Sequence, residues 1–286
     1  MKDFSLDIYR ELLEALLAKG YKLISYRDYV MTSCRNDETS KSRKEEEKFV
    51  ILRHDVDAKP GNSLKTAQIE KSMGAKATYY FRIPEVTKGG QKGPSGMSYP
   101  EIVRAIVKLG HEIGYHYEDM SLCGGDVEQA WGHFKTWLEY FRQYYAVETI
   151  CMHGAPRSKW DSKDLWKGYD KETGKNYDYK ELGVIGEPYL DTDFSDVFYL
   201  TDTGRCWDGY KVSVRDRIPG YQEEWSQKGL SWHTTQELIK AVEEGKLPKH
   251  VMITTHPQRW TNDSIAWWKE LVLQNLKNII KGLIVG

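Results

Sequence analysis

A chain of 286 residues is long enough for one large α/β domain or two small ones, and its net charge of −1 supplies no electrostatic pull towards nucleic acid. No apolar run is long enough to span a bilayer. The four cysteines, Cys34, Cys123, Cys151 and Cys206, are widely spaced without a CxxC pair, which argues against a zinc ribbon or a dithiol redox motif and for a reduced, cytoplasmic setting. The 19 Tyr and 10 Trp suit either a packed core or a cleft in which rings stack on sugars, and composition alone does not choose.

In chain order, the first segment reads as an amphipathic helix with Ile8, Leu12, Leu13, Leu16 and Leu17 on one face. Asp7, Glu11 and Glu14 make it no secretory signal. YKLISYRDYV reads as a short strand and turn, and Asn36–Lys48, which has no apolar residue, as a solvated loop. FVILRHD is then a strand, Ser63–Met73 a helix ended by Gly74, and ATYYFRI a strand. A Gly/Lys loop spans Val86–Met97, Pro100–Leu109 is a helix, EIGYH a strand and Asp126–Tyr145 a long helix. ETICMHG is a strand, followed by a long polar stretch from Ala155 to Glu181. GVIGEPY and DVFYLTDTG read as strands, Thr234–Glu244 as a helix, HVMITTH as a strand and Ser264–Lys281 as the last helix. This alternation predicts parallel strands flanked by helices. No GxGxxG or GxxxxGK[ST] element follows a strand, so a (β/α) barrel is favoured over a nucleotide-binding fold, with its site at the C-terminal strand ends.

Those strand ends carry the chemistry. The run Val50-Ile51-Leu52 stops at Arg53-His54-Asp55-Val56-Asp57. In a strand Asp55 and Asp57 share a face, and two buried acids repel unless a cation lies between them. His116, His153 and His256 each close a later apolar strand. A lone His is usually structural, but three at equivalent positions, with two acids, suit a divalent ion held by about three ligands and open to water. Asp55 is then the candidate base and His256 the candidate acid of an amide or ester hydrolysis.

These motifs resemble the polysaccharide deacetylase (NodB-homology) superfamily of metal-dependent carbohydrate esterases, in a divergent branch with an HDVD first motif. The resemblance spans about Phe49 to Trp260. It implies a distorted α/β, (β/α) barrel of the NodB type. It also implies Asp55 as base, Asp57 as metal ligand, His116 (closing Gly110-His111-Glu112-Ile113-Gly114-Tyr115-His116) as a second ligand, and His256 of Ile253-Thr254-Thr255-His256 as acid. His111 is the structural member of its run. The family's further metal His falls four residues after the first, where this chain has Met120. His153 is the first choice for the missing ligand and Glu118 the second. Arg157 does not equate with the family's arginine, and Tyr199–Trp207 stands where an Asp-Trp motif is expected.

The resulting expectation is a single catalytic barrel over residues 1–286, with an N-terminal helical extension to about residue 35 and a charged loop at about 36–48. It removes an N-acetyl or other acyl group from a carbohydrate or sugar-containing precursor, hydrolysing a C–N bond. One divalent ion serves it, zinc first, with cobalt, nickel or iron as alternatives. Arg82, Glu118, Arg205 and Trp207 are the candidate substrate contacts, with rim salt bridges and core packing as their plainer roles. The rival functions are a glycan-binding protein on the same barrel, which Met120 favours, and a metal hydrolase of another amide or a phosphodiester. No nucleic acid or membrane span is expected, and the oligomeric state stays open.

Overall fold

The computed structural model describes residues 2–33, 47–87, 96–155, 158–170, 175–209 and 216–285. Most of the charged loop, the centre of the Gly/Lys loop and Arg157 lie outside the described residues.

The chain begins with α1 (Leu6–Ala18), whose Ser5 side chain caps the Ile8 N–H. It continues with β1 (Lys22–Ile24), α2 (Tyr26–Ser33), β2 (Phe49–Val56), α3 (Pro60–Ser72) and β3 (Thr78–Phe81). Then come α4 (Tyr99–Lys108), β4 (Glu112–Tyr117), the short α5 (Asp119–Leu122), α6 (Val127–Arg142) and β5 (Ile150–Met152). A small antiparallel pair, β6 (Gly168–Asp170) and β7 (Lys175–Tyr177), precedes β8 (Phe198–Thr201), α7 (Tyr221–Gln227), α8 (Thr235–Glu243), β9 (His250–Thr255) and α9 (Ser264–Val285).

Two sequence readings need correction. The expected turn after β1 is the helix α2, which buries Tyr26, Tyr29 and Val30. GVIGEPY is not a strand. Its Gly186 makes one isolated parallel bridge to Thr149, just before β5, and Glu187 accepts the N–H groups of Met152, Tyr189 and Leu190. An acidic side chain has replaced the neighbouring strand as the acceptor of those donors.

The main sheet has seven parallel strands among the described residues, six of them in the order β5-β4-β3-β2-β9-β8 and the seventh, β1, beside β2. β1 pairs with the first half of β2 and β3 with its second half. No ladder among the described residues joins β5 to β8. This is an α/β fold, a distorted and open (β/α) barrel. β1 makes the N-terminal segment part of the sheet, and the Leu12, Leu13 and Leu16 side chains of α1 are fully buried in the same core as β2 and β9. Each such leucine, cut to alanine, would cost about 2–5 kcal/mol.

Unusually polar residues fill the barrel interior. Arg53 on β2 is fully buried, as are Glu112 on β4 and the Tyr80 phenol on β3. Glu112 is satisfied by the Thr78 and Thr149 hydroxyls and by the Arg27 N–H. Gly114 is required on β4 because a Cβ there would lie 2.3 Å from the Tyr80 ring.

Candidate metal and catalytic site

Strand register assembles the site. Asp55 pairs with Tyr80, and Tyr80 with Gly114. Two residues further on, the loop residue Asp57 therefore comes level with His116 across the sheet. His116 pairs with Cys151, which brings His153 in beside it. On the other side His54 pairs with Thr255, so Asp55 and His256 are level. An open pocket of about 110 Å³ at these C-terminal strand ends is lined by Asp55, Asp57, His116, His153, His256 and Tyr189, among others.

Asp57, His116 and His153 each offer one ligand atom, and these atoms all lie within 4.8 Å of one another. Asp57 Oδ1 is 3.4 Å from His116 Nε2 and 3.6 Å from His153 Nε2. It is a buried atom with no hydrogen-bond partner. The far nitrogens fix the tautomers. His116 Nδ1 is 2.9 Å from the Cys151 carbonyl and His153 Nδ1 is 2.9 Å from the Glu118 carboxylate. Those oxygens only accept, so both Nδ1 atoms donate, and displacement of a proton by a bound ion would leave each ring's lone pair on the Nε2 that faces Asp57. Enclosure alone would raise the Asp57 pKa, but the facing His153, His116 and His256 outweigh it and hold the carboxyl well below its usual range. An orphaned carboxylate oxygen facing two oriented imidazoles is the donor set of a borderline divalent ion, and these residues fit one.

Two further devices flank this point. Arg53 clamps Asp55 from two residues back on the same strand face, with Nε 2.9 Å from Oδ1 and Nη2 2.6 Å from Oδ2. The same Nη2 reaches Tyr189, whose hydroxyl donates to Asp216. Asp216 also accepts from Tyr199, Thr201 and Thr203. Across the pocket, His256 presents Nε2 3.7 Å from Asp57 Oδ2, while its Nδ1 is 2.6 Å from Asp202. Asp202 is fully buried and accepts as well from the His256 N–H, Arg259 and the Trp260 indole. Burial and Arg259 pull the His256 pKa down, but Asp202 and Asp57 outweigh them and leave it raised. Burial pushes Asp202 up, and Arg259 and His256 bring it below its usual value.

The structure brings together Asp55, Asp57, His116, His153 and His256. Glu118 stands behind His153 and is ion-paired to Arg82, so both support an imidazole from outside the pocket lining. Met120, on α5, is buried in the hydrophobic core. Arg205 lies over the rings of Phe4 and Trp267, and Trp207 is buried beside Phe4 and Trp260, away from the pocket lining. Trp260 is fully buried. His111 is buried against the Ala67 carbonyl on the outer face of the sheet. Sequence reasoning assigned no role to Arg53, Asp202, Asp216, Tyr189 or Arg259. Arg53 had a signal: a cation two residues from an acid on one face of a buried strand. Asp202 had a weaker one, as an acid just beyond a strand end. Asp216 had none, because it reaches the pocket from a loop distant in the chain.

No family model matches the chain, and no curated protein matches it. Among solved structures it is similar to a point mutant of the peptidoglycan deacetylase PdaC from Bacillus subtilis, at 12% identity and a TM-score of 0.35, over 82% of this chain and 97% of that one. A likeness at that level assigns nothing, and the reading of the site rests on its own geometry.

Proposed function

We propose that this protein is a metal-dependent hydrolase that removes an N-acetyl or similar acyl group from an amino-sugar unit. The carrying observation is the convergence of Asp57, His116 and His153 on one point, with a clamped acid and a carboxylate-backed imidazole on either side. Asp57, His116 and His153 would hold the ion, with zinc the best match to two imidazoles and a carboxylate. When bound, the ion supplies Lewis acidity to the scissile carbonyl and lowers the pKa of water.

The chain's own residues do the rest. Asp55, which lines the pocket with both oxygens oriented by Arg53, takes the proton of the attacking water. His256 delivers a proton from Nε2 to the departing amine nitrogen, and Asp202 holds it in the tautomer and orientation that allow this. The pocket of about 110 Å³ would take the ion and the acyl group. An adjoining hollow of about 240 Å³ shares Met152 and Tyr189 with it and offers Leu190, Phe194, Ile218 and Pro219 to the rest of the substrate. No helix among the described residues is long and apolar enough to cross a membrane.

The test is acetate release from N-acetylated chito-oligosaccharides by zinc- or cobalt-loaded protein. Turnover by wild type, lost in Asp55→Asn with the metal retained, supports the reading. Equal turnover by Asp55→Asn would remove Asp55 as the base. Stoichiometric metal with no release of acyl group from any amide or ester sugar would favour a binding protein.

A further inference from the structure

Outside the pocket, the loop after β8 gathers a second set of metal-binding side chains. Gly204 and Arg205 both adopt positive φ (83° and 58°), which turns the chain back on itself after Asp202. Gly209 closes the turn so tightly that a Cβ there would lie 1.8 Å from the Thr203 carbonyl oxygen. Inside this knuckle the Cys206 thiol points at the Thr203 carbonyl, 3.6 Å away. Asp208 follows two residues later, bridged to the end of β8 at Thr201. His233 arrives from the segment before α8. Its carbonyl accepts the Trp207 N–H at 3.1 Å, and its Nδ1 is 2.8 Å from Asp208 Oδ1. One ligand atom each from Cys206, Asp208 and His233 all lie within 4.8 Å of one another.

We propose that Cys206, Asp208 and His233 form a second divalent-metal site, separate from the pocket, that staples the loop after β8 to the segment before α8. The donor set is one sulfur, one oxygen and one nitrogen, which selects a borderline ion such as zinc or cobalt over magnesium or calcium. The thiol is buried and the imidazole largely exposed, so the ion would be inserted from the His233 side, with water completing its coordination. Binding replaces the thiol proton, which leaves to solvent. The consequence reaches the pocket through Thr203, which lines it and bonds Asp216.

Cobalt distinguishes the two ligand sets, because of the two only this one contains sulfur, and Cys151→Ala controls for the buried Cys151 thiol, which lies within 4.8 Å of ligand atoms of Asp55 and His116. Full-length protein is stripped of metal and titrated with Co²⁺ under reducing conditions. A thiolate-to-cobalt charge-transfer band in the near ultraviolet is expected, absent in Cys206→Ser and weakened in His233→Ala. The His233→Ala exchange touches an exposed side chain and leaves the fold intact. Asp57→Ala is expected to keep the band while binding one equivalent less cobalt. A band that persists in Cys206→Ser, or no band in wild type, overturns the proposal. Neither result bears on the hydrolase reading, which stands or falls with Asp57.

Discussion

The two faces of β2 each carry a buried cluster of histidine, acid and tyrosine, and they differ in one respect. On the outer face Glu70 of α3 accepts the Tyr9 hydroxyl at 2.6 Å and the Tyr79 hydroxyl at 2.7 Å, and lies 2.7 Å from His54 Nε2. His54 Nδ1 reaches Thr255, and His111 is tied to Ala67. The Glu70 carboxylate there meets partners from several surrounding elements, with His54 Nε2 at 2.7 Å and His111 Nδ1 at 3.6 Å among them. On the inner face the partners stop one shell short: the imidazoles are oriented from behind, and Asp57 Oδ1 has nothing to bond. Buried ionisable residues are therefore a poor sign of chemistry in this fold. Oriented lone pairs converging on an unfilled point are a good one.

Mutations separate the two clusters. The largest effect is expected from Asp202→Asn, which leaves the shape of the inner face intact but spoils the tautomer and charge that hold His256. Turnover should fall by about 10²–10⁴-fold with metal content unchanged, measured as kcat on the acetylated oligosaccharide. A fall in metal content instead would mean that His256 belongs to the ligand set. On the outer face, Glu70→Ala leaves two histidines and two tyrosines without their shared acceptor. A loss of about 3–5 kcal/mol in denaturant unfolding is expected, with normal metal content in the folded protein. An unchanged midpoint would show that the outer cluster is not structural.

The smallest effect is one of pH. Burial pulls the His111 pKa below 6.5, more than Glu70 raises it, so the unfolded chain binds a proton there before the native one does. Stability should fall as pH drops below the ordinary histidine range, towards the lowered native value. Burial pushes Glu70 up, but His54 and His111 bring its net pKa below 4.5, so a second loss follows at lower pH as the native carboxylate is protonated. Denaturant midpoints across this range should show the first loss in wild type and a flatter profile in His111→Asn. Equal slopes would place the sensitivity elsewhere.

The inner face was the more legible of the two in the sequence. Period-two alternation put Asp55 and Asp57 on one side, and the recurrence of His at strand ends marked His116, His153 and His256. Met120 forced the search for another ligand to the next strand end, where His153 does face Asp57. What escaped is what register and loops supply. Arg82 and Glu118 read as substrate contacts because their pairing across neighbouring strands depends on a register invisible in sequence. GVIGEPY read as a strand because its apolar spacing says nothing of Glu187, which takes over the role of a strand neighbour. Arg205 and Trp207 read as site residues because they follow a strand end, whereas the positive φ at Gly204 and Arg205 turns them away towards Phe4.

The central claim is that Asp57, His116 and His153 hold a divalent ion. Its most direct test is elemental analysis of Cys206→Ser protein, in which the proposed second site is removed, beside the same protein carrying Asp57→Ala. The account predicts close to one equivalent of zinc or a similar ion in the first and none in the second, with both folded by circular dichroism. Metal retained after Asp57→Ala, or none taken up by the parent after reconstitution, would contradict it.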